Sequence, residues 1–159
     1  MWVVEATRPW TKARHGFRGR TLYANFTGLG LYKYDYEGTG SWTKIHSSVP
    51  TSMVALGPIL YATWPSGLYL WDGNAWSKIH TCAPTKMVGV GSRLYATWPS
   101  GLYMWDGSAW SKIHSTVPTD MFTSRFDFFA TYPSGLYEHD GSTWSKQHSV
   151  VPTEMITPP

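Results

Sequence analysis

Four histidines recur at a spacing of 34 residues, His46, His80, His114 and His148, each two residues after a lysine (Lys44, Lys78, Lys112, Lys146). A ring of imidazoles could ligate a metal, but a zinc site wants three or four ligands and each copy offers one, beside an ammonium that repels a cation. No metal site is expected. Asp72, Asp106 and Asp140 each precede a glycine. A carboxylate in such a turn accepts hydrogen bonds from its own backbone. Acid–base work needs a second group at a fixed distance, and no copy supplies one. Cys82 is the single cysteine and has no counterpart in the other copies, so it reads as a loop or buried thiol. No phosphate-binding glycine loop, Ser-His-Asp set or nucleotide fingerprint is present. The chain is therefore not expected to be an enzyme or to hold a cofactor.

Large rings are the other candidates. Trp64, Trp98 and Tyr132 stand directly before Pro-Ser-Gly, and Phe26 takes the matching place in an earlier copy. Read as loop residues, these rings would be exposed platforms for sugar, giving apolar area while polar edges stay wet. The alternative is that each ring folds back onto the core. Arg93 and Arg125 enter neighbouring strands from a variable turn and are candidate donors to sugar hydroxyls. Trp76, Trp110 and Trp144 recur without substitution and read as core.

The elements that position these residues are repeats. Trp42, Trp76, Trp110 and Trp144 are 34 residues apart, each opening Trp-Ser/Thr-Lys, and Trp10-Thr11-Lys12 precedes them. Pro-Thr-x-Met follows at Pro50, Pro84, Pro118 and Pro152. Residues 60–93 and 94–127 match at 22 of 34 positions, which reads as recent amplification. A period of 34 also suits a two-helix repeat. Here Pro-Ser-Gly, Asp-Gly and Pro-Thr cut each unit into runs of four to six residues, too short for helices and right for strands. The strands are apolar on both faces: Leu68 and Leu70 point one way, Tyr69 and Trp71 the other. Such sheets need cover on both sides, which radial stacking supplies. The expected fold is all-β, a β-propeller of four-stranded blades of about 34 residues. Repeats start near residues 22, 60, 94 and 128 in one domain, 1–159. Residues 2–14 align through Trp10 with the later strands of a blade. With the C-terminal Met155-Ile156-Thr157 they would close a fifth blade shared by the termini; ring closure by oligomerisation is the rival to a monomer.

The hairpins Trp71-Asp72-Gly73-Asn74-Ala75-Trp76 and Trp105-Asp106-Gly107-Ser108-Ala109-Trp110 resemble those of bacterial and fungal propeller lectins, the fucose-binding ones above all. Leu94-Tyr95-Ala96 with Gly101-Leu102-Tyr103 is similar to bacterial repeat propellers. The resemblance implies a multivalent carbohydrate-binding module with repeated sites between blades. It does not carry over fucose recognition, because the Glu those lectins place three residues before the turn tryptophan is here Leu68, Leu102 or Leu136.

Composition is consistent with this reading. Charged residues are 14% and aromatics 16%, which excludes coiled coil and disorder. Five of the 13 Lys and Arg lie in the first 20 residues, and the remainder is near neutral, so no nucleic-acid partner is expected. No apolar run is long enough for a membrane helix and no secretory signal is read, which leaves the compartment open. The expected function is a lectin-like binding module. The alternative is a protein-interaction or purely structural propeller with no small-molecule ligand.

Overall fold

The computed structural model describes residues 21–36, 38 and 40–156. The described residues are all-β, with no helix, in four antiparallel sheets. The chain divides into two compact units, 1–52 and 53–159. In the first, β1 (Thr21–Phe26), β2 (Gly30–Asp35) and β3 (Trp42–His46) form a three-stranded meander.

The second unit holds three four-stranded sheets. The first contains β4 (Ser52–Leu56, starting at the boundary), β5 (Ile59–Trp64), β6 (Gly67–Trp71) and β7 (Trp76–His80). The next contains β8 (Lys86–Val90), β9 (Arg93–Trp98), β10 (Gly101–Trp105) and β11 (Trp110–His114). The last contains β12 (Asp120–Thr123), β13 (Phe128–Tyr132), β14 (Gly135–His139) and β15 (Trp144–His148). Strand number, antiparallel order and repetition match the propeller-like pattern expected from the sequence. Each sheet, however, begins one strand earlier than the Leu-Tyr-Ala unit. Pro-Thr-x-Met opens a new sheet: Thr85 donates its N–H to the Thr97 carbonyl at 2.8 Å, the two hydroxyls meet at 2.7 Å, and Met87 is buried. Thr119 and Thr131 repeat this, with Met121 buried.

Both faces of the middle sheet are covered, as the apolar pattern requires. Leu94, Ala96, Trp98 and Trp105 pack with Tyr61 and Leu68 of the preceding sheet. Tyr95, Leu102 and Met104 pack with Met121, Phe128 and Ala130 of the following one. Tyr95 lies flat on Phe128, ring centroids 3.9 Å apart. The Asp-Gly turns behave as expected: Asp106 Oδ1 accepts the N–H groups of Ser108 and Ala109 at 2.8 Å, and these bonds hold its carboxyl below the ordinary value of 3.8.

The β10–β11 pairing carries a β-bulge. Leu102 faces His114 and Tyr103 faces Lys112, so Ile113 has no ladder partner. The same slip leaves out Ile79 in β6–β7 and Gln147 in β14–β15. A bulge releases a main-chain carbonyl from the ladder. That carbonyl is taken by the next sheet: Trp110 Nε1 donates to Ile79 O at 3.1 Å, and Trp144 Nε1 to Ile113 O at 3.0 Å. The glycine of Pro-Ser-Gly makes the bulge possible. Gly101 holds φ +135°, and a Cβ there would be driven into the His114 carbonyl oxygen.

The expected closing blade falls mostly outside the described residues: 2–14 and Thr157 are not described, and Met155 and Ile156 are not in a strand. No helix among the described residues is long and apolar enough to cross a membrane.

Gly101→Ala should destabilise the protein by about 1–3 kcal/mol, the cost of holding a side chain in a glycine-only conformation. Thermal unfolding checks this; an unchanged midpoint would show that the bulge tolerates a side chain.

Candidate functional site

The candidate rings stand at strand ends, not on loops. Trp64, Trp98 and Tyr132 are the last residues of β5, β9 and β13, and are 8%, 6% and 5% exposed. Each sits edge-on to the tryptophan that opens the last strand of its own sheet: Trp64 on Trp76 at 5.2 Å, Trp98 on Trp110 at 5.0 Å, Tyr132 on Trp144 at 6.1 Å. In the first unit, half-buried Phe26 ends β1 and meets Tyr32 and Trp42, both at 5.3 Å. Isolated exposed platforms are therefore not what these rings form. Trp98 and Tyr132 line the joints between the sheets of the second unit.

A joint is built the same way twice. The β7 strand ends in His80, whose Nδ1 accepts the Cys82 N–H at 3.1 Å and turns the chain toward the next sheet. The imidazole lies against Trp98, centroids 4.2 Å apart. His114 repeats this, accepting the Thr116 N–H at 3.0 Å and lying 4.3 Å from Tyr132. The repeated histidines thus shape the crossing loops, and among the described residues no cluster of three or more His, Cys, Asp or Glu is arranged to hold a metal. Cys82 is an exposed free thiol in that loop.

At the last joint lies a cavity of about 470 Å³ lined by His114, Thr116, Tyr132, Pro133, Ser134, Tyr137 and Trp144. Ligand pockets commonly measure about 300–1,000 Å³. The lining combines four rings with three hydroxyl-bearing side chains besides Tyr132 and no carboxylate. Ser134 Oγ and Tyr137 Oη are hydrogen-bonded at 2.9 Å, and the Lys146 ammonium lies 5.6 Å from the Tyr137 ring centre. The Ser134 hydrogen bond, then Lys146, lowers the Tyr137 phenol below 10.0. Tyr132 differs: its hydroxyl is buried with no hydrogen-bond partner among the described residues, and desolvation raises its phenol strongly. It stays neutral and able to donate.

The arginines do not join this site. Arg93 opens β9 while Trp98 ends it, so they lie about 16 Å apart at roughly 3.3 Å per residue. Arg93 Nη1 instead makes a long 3.5 Å contact with the Asp140 carbonyl in the last sheet's turn. Arg125 is exposed, its guanidinium 5.1 Å from the Phe126 ring centre. His114, Thr116, Ser134, Tyr137 and Trp144 are lining residues that sequence reasoning missed. The one available signal was that tyrosine replaces tryptophan at 132, in the repeat that also breaks the Trp-Asp-Gly pattern.

That second break is His139, where the other sheets have Trp71 and Trp105. It is 3% exposed, between Tyr95 Oη at 3.4 Å from Nδ1, the Gly141 N–H at 3.2 Å and the Trp144 ring. Burial, and more weakly Arg93, lower its pKa below 6.5, against an opposing pull from Asp140.

These features define an all-β protein of repeated, propeller-like sheets with a ring-lined cavity at a joint. No protein-family model matches the chain, and no characterised protein is significantly similar to it in sequence.

The buried neutral His139 makes stability pH-dependent. Its folded pKa is depressed, so below 6.5 the unfolded chain takes up a proton that the folded state refuses. Stability held above pH 6.5 should fall as the pH drops from about 7 toward 5. His139→Trp, restoring the residue of the other sheets, should flatten that slope in denaturant titrations at several pH values. Equal slopes in both proteins would show that His139 is not the group responsible.

Proposed function

We propose that the protein is a non-enzymatic, lectin-like binding module that takes carbohydrate in a joint between sheets of its second unit. The observation that carries this reading is the ring-lined cavity beside Tyr132, Tyr137 and Trp144, edged by the Ser134 and Thr116 hydroxyls. Sugar rings present apolar faces to aromatic rings and hydroxyls to hydrogen-bonding groups, and this lining offers both. It supplies no pair of acids and no metal ligand set, so the chemistry it supports is recognition. A ring contact is worth about 1 kcal/mol, which makes a single site weak, in roughly the high-micromolar to millimolar range. Tight adhesion then requires several sites on one surface.

The wild-type protein, displayed multivalently on a broad glycan array, should retain a defined set of glycans, with calorimetry giving weak single-site affinity. Silence across neutral and acidic glycans would sink the carbohydrate reading in favour of an interaction scaffold.

We also propose that the repeat closes as a five-bladed propeller through residues 2–14. The motive is that Gln147 repeats the bulge whose carbonyl, at Ile79 and Ile113, takes an indole N–H, and Trp10 heads the remaining copy of Trp-Ser/Thr-Lys. Deleting residues 1–15 should lower the unfolding midpoint or drive oligomerisation. A truncated chain that stays a stable monomer would overturn the closure.

A further inference from the structure

The two joints of the second unit differ at one decisive place. In the first, Trp98 fills the space itself: its ring lies on His80, its edge meets Trp110 at 5.0 Å, and its indole Nε1 donates to the Cys82 carbonyl at 3.2 Å. In the second, Tyr132 lies on His114 at nearly the same distance and tilt, but a single phenol ring is narrower than a fused indole and has no ring N–H. The separation from Trp144 widens to 6.1 Å. The Thr116 carbonyl, equivalent to that of Cys82, lies 3.1 Å from His114 Nδ1, which accepts the Thr116 N–H, and it receives no indole N–H. Tyr132 is 5% exposed, and its buried hydroxyl has no hydrogen-bond partner among the described residues. A buried hydroxyl without a partner is costly, so tyrosine is less well satisfied here than the tryptophan of the first joint.

We infer that the ring at this repeat position is a gate: tryptophan occupies its own joint, whereas Tyr132 leaves its joint open for a neutral polyol that donates to the Thr116 carbonyl. The ligand class follows from the lining. An apolar face is needed for Trp144 and Tyr137, a hydroxyl for the Thr116 carbonyl, and no positive charge, because no carboxylate lines the cavity. Its identity as a pyranose rests on the carbohydrate reading above; the gate itself does not. Binding is then a property that one substitution adds to, or removes from, a joint, rather than something every repeat inherits.

The test uses calorimetry and ligand-observed NMR with methyl pyranosides of glucose, galactose, mannose, fucose and N-acetylglucosamine, alongside phenol as a probe that is not a sugar. Thermal unfolding confirms that each variant is folded. Tyr132→Trp should remove one site, weakening binding at that joint at least tenfold with no loss of stability. Trp98→Tyr should add one site to the stoichiometry. Pyranoside or phenol binding that is equal in the wild type and Tyr132→Trp overturns the gate. Phenol bound by the wild type and lost in Tyr132→Trp, with no pyranoside bound, upholds the gate and removes the carbohydrate reading. Failure of both probes on the wild type overturns the gate as well.

Discussion

A single main-chain device links each sheet of the second unit to the next: the carbonyl that a bulge frees from the ladder and the following sheet's indole N–H captures. Without the extra residue at Ile79 or Ile113, these carbonyls would be committed within their own strand pairs. Without Trp110 or Trp144 they would be polar groups stranded in an apolar joint, which costs about as much as a lost hydrogen bond. The bulge in turn depends on a glycine that lets two strands approach where no Cβ fits. Glycine, bulge, carbonyl and tryptophan form one chain of dependence, which accounts for the regular recurrence of Pro-Ser-Gly and Trp-Ser-Lys together.

The same device creates the place where function is sought. The joint brings the end of the second strand of one sheet against the histidine that ends the last strand of the sheet before it. A joint is thus walled by rings from two sheets and floored by main-chain carbonyls of the crossing loop. Stability and recognition compete for that space. A tryptophan there contributes packing and a hydrogen bond to the fold; a tyrosine gives up part of both and leaves room. His139 shows a related trade in the last sheet, where an imidazole replaces an indole in the core and brings a titratable group with it.

Much of the fold was legible from the sequence because its cues are local. Two-residue alternation with apolar residues on both faces implied strands covered on both sides, and Tyr95 and Leu94 do pack against opposite neighbours. Asp-Gly implied turns capped by their own carboxylates, which Asp106 provides. The phase of the sheets was less legible. Pro-Thr-x-Met looked like the end of a unit because it follows Trp-Ser-Lys closely in the chain. It opens the next sheet because the Thr85 and Thr97 hydroxyls pair, a contact across 12 residues that periodicity does not encode.

The candidate site divides in the same way. Residue types and recurrence alone picked out Trp64, Trp98 and Tyr132 as special, since a large ring before Pro-Ser-Gly is conspicuous in any copy. Sequence could not say whether those rings face solvent or a neighbour, because exposure is a property of what packs alongside. It offered Arg93 as a donor because that residue enters its strand from a variable turn, yet an extended strand carries its two ends far apart. Only the tertiary structure brought His114 and Thr116 of one sheet against Tyr132 and Trp144 of the next, and so decided where a cavity lies. Local preference sets the strands and turns; the space between sheets depends on side chains far apart in sequence, and one ring's size there separates a filled joint from an open one.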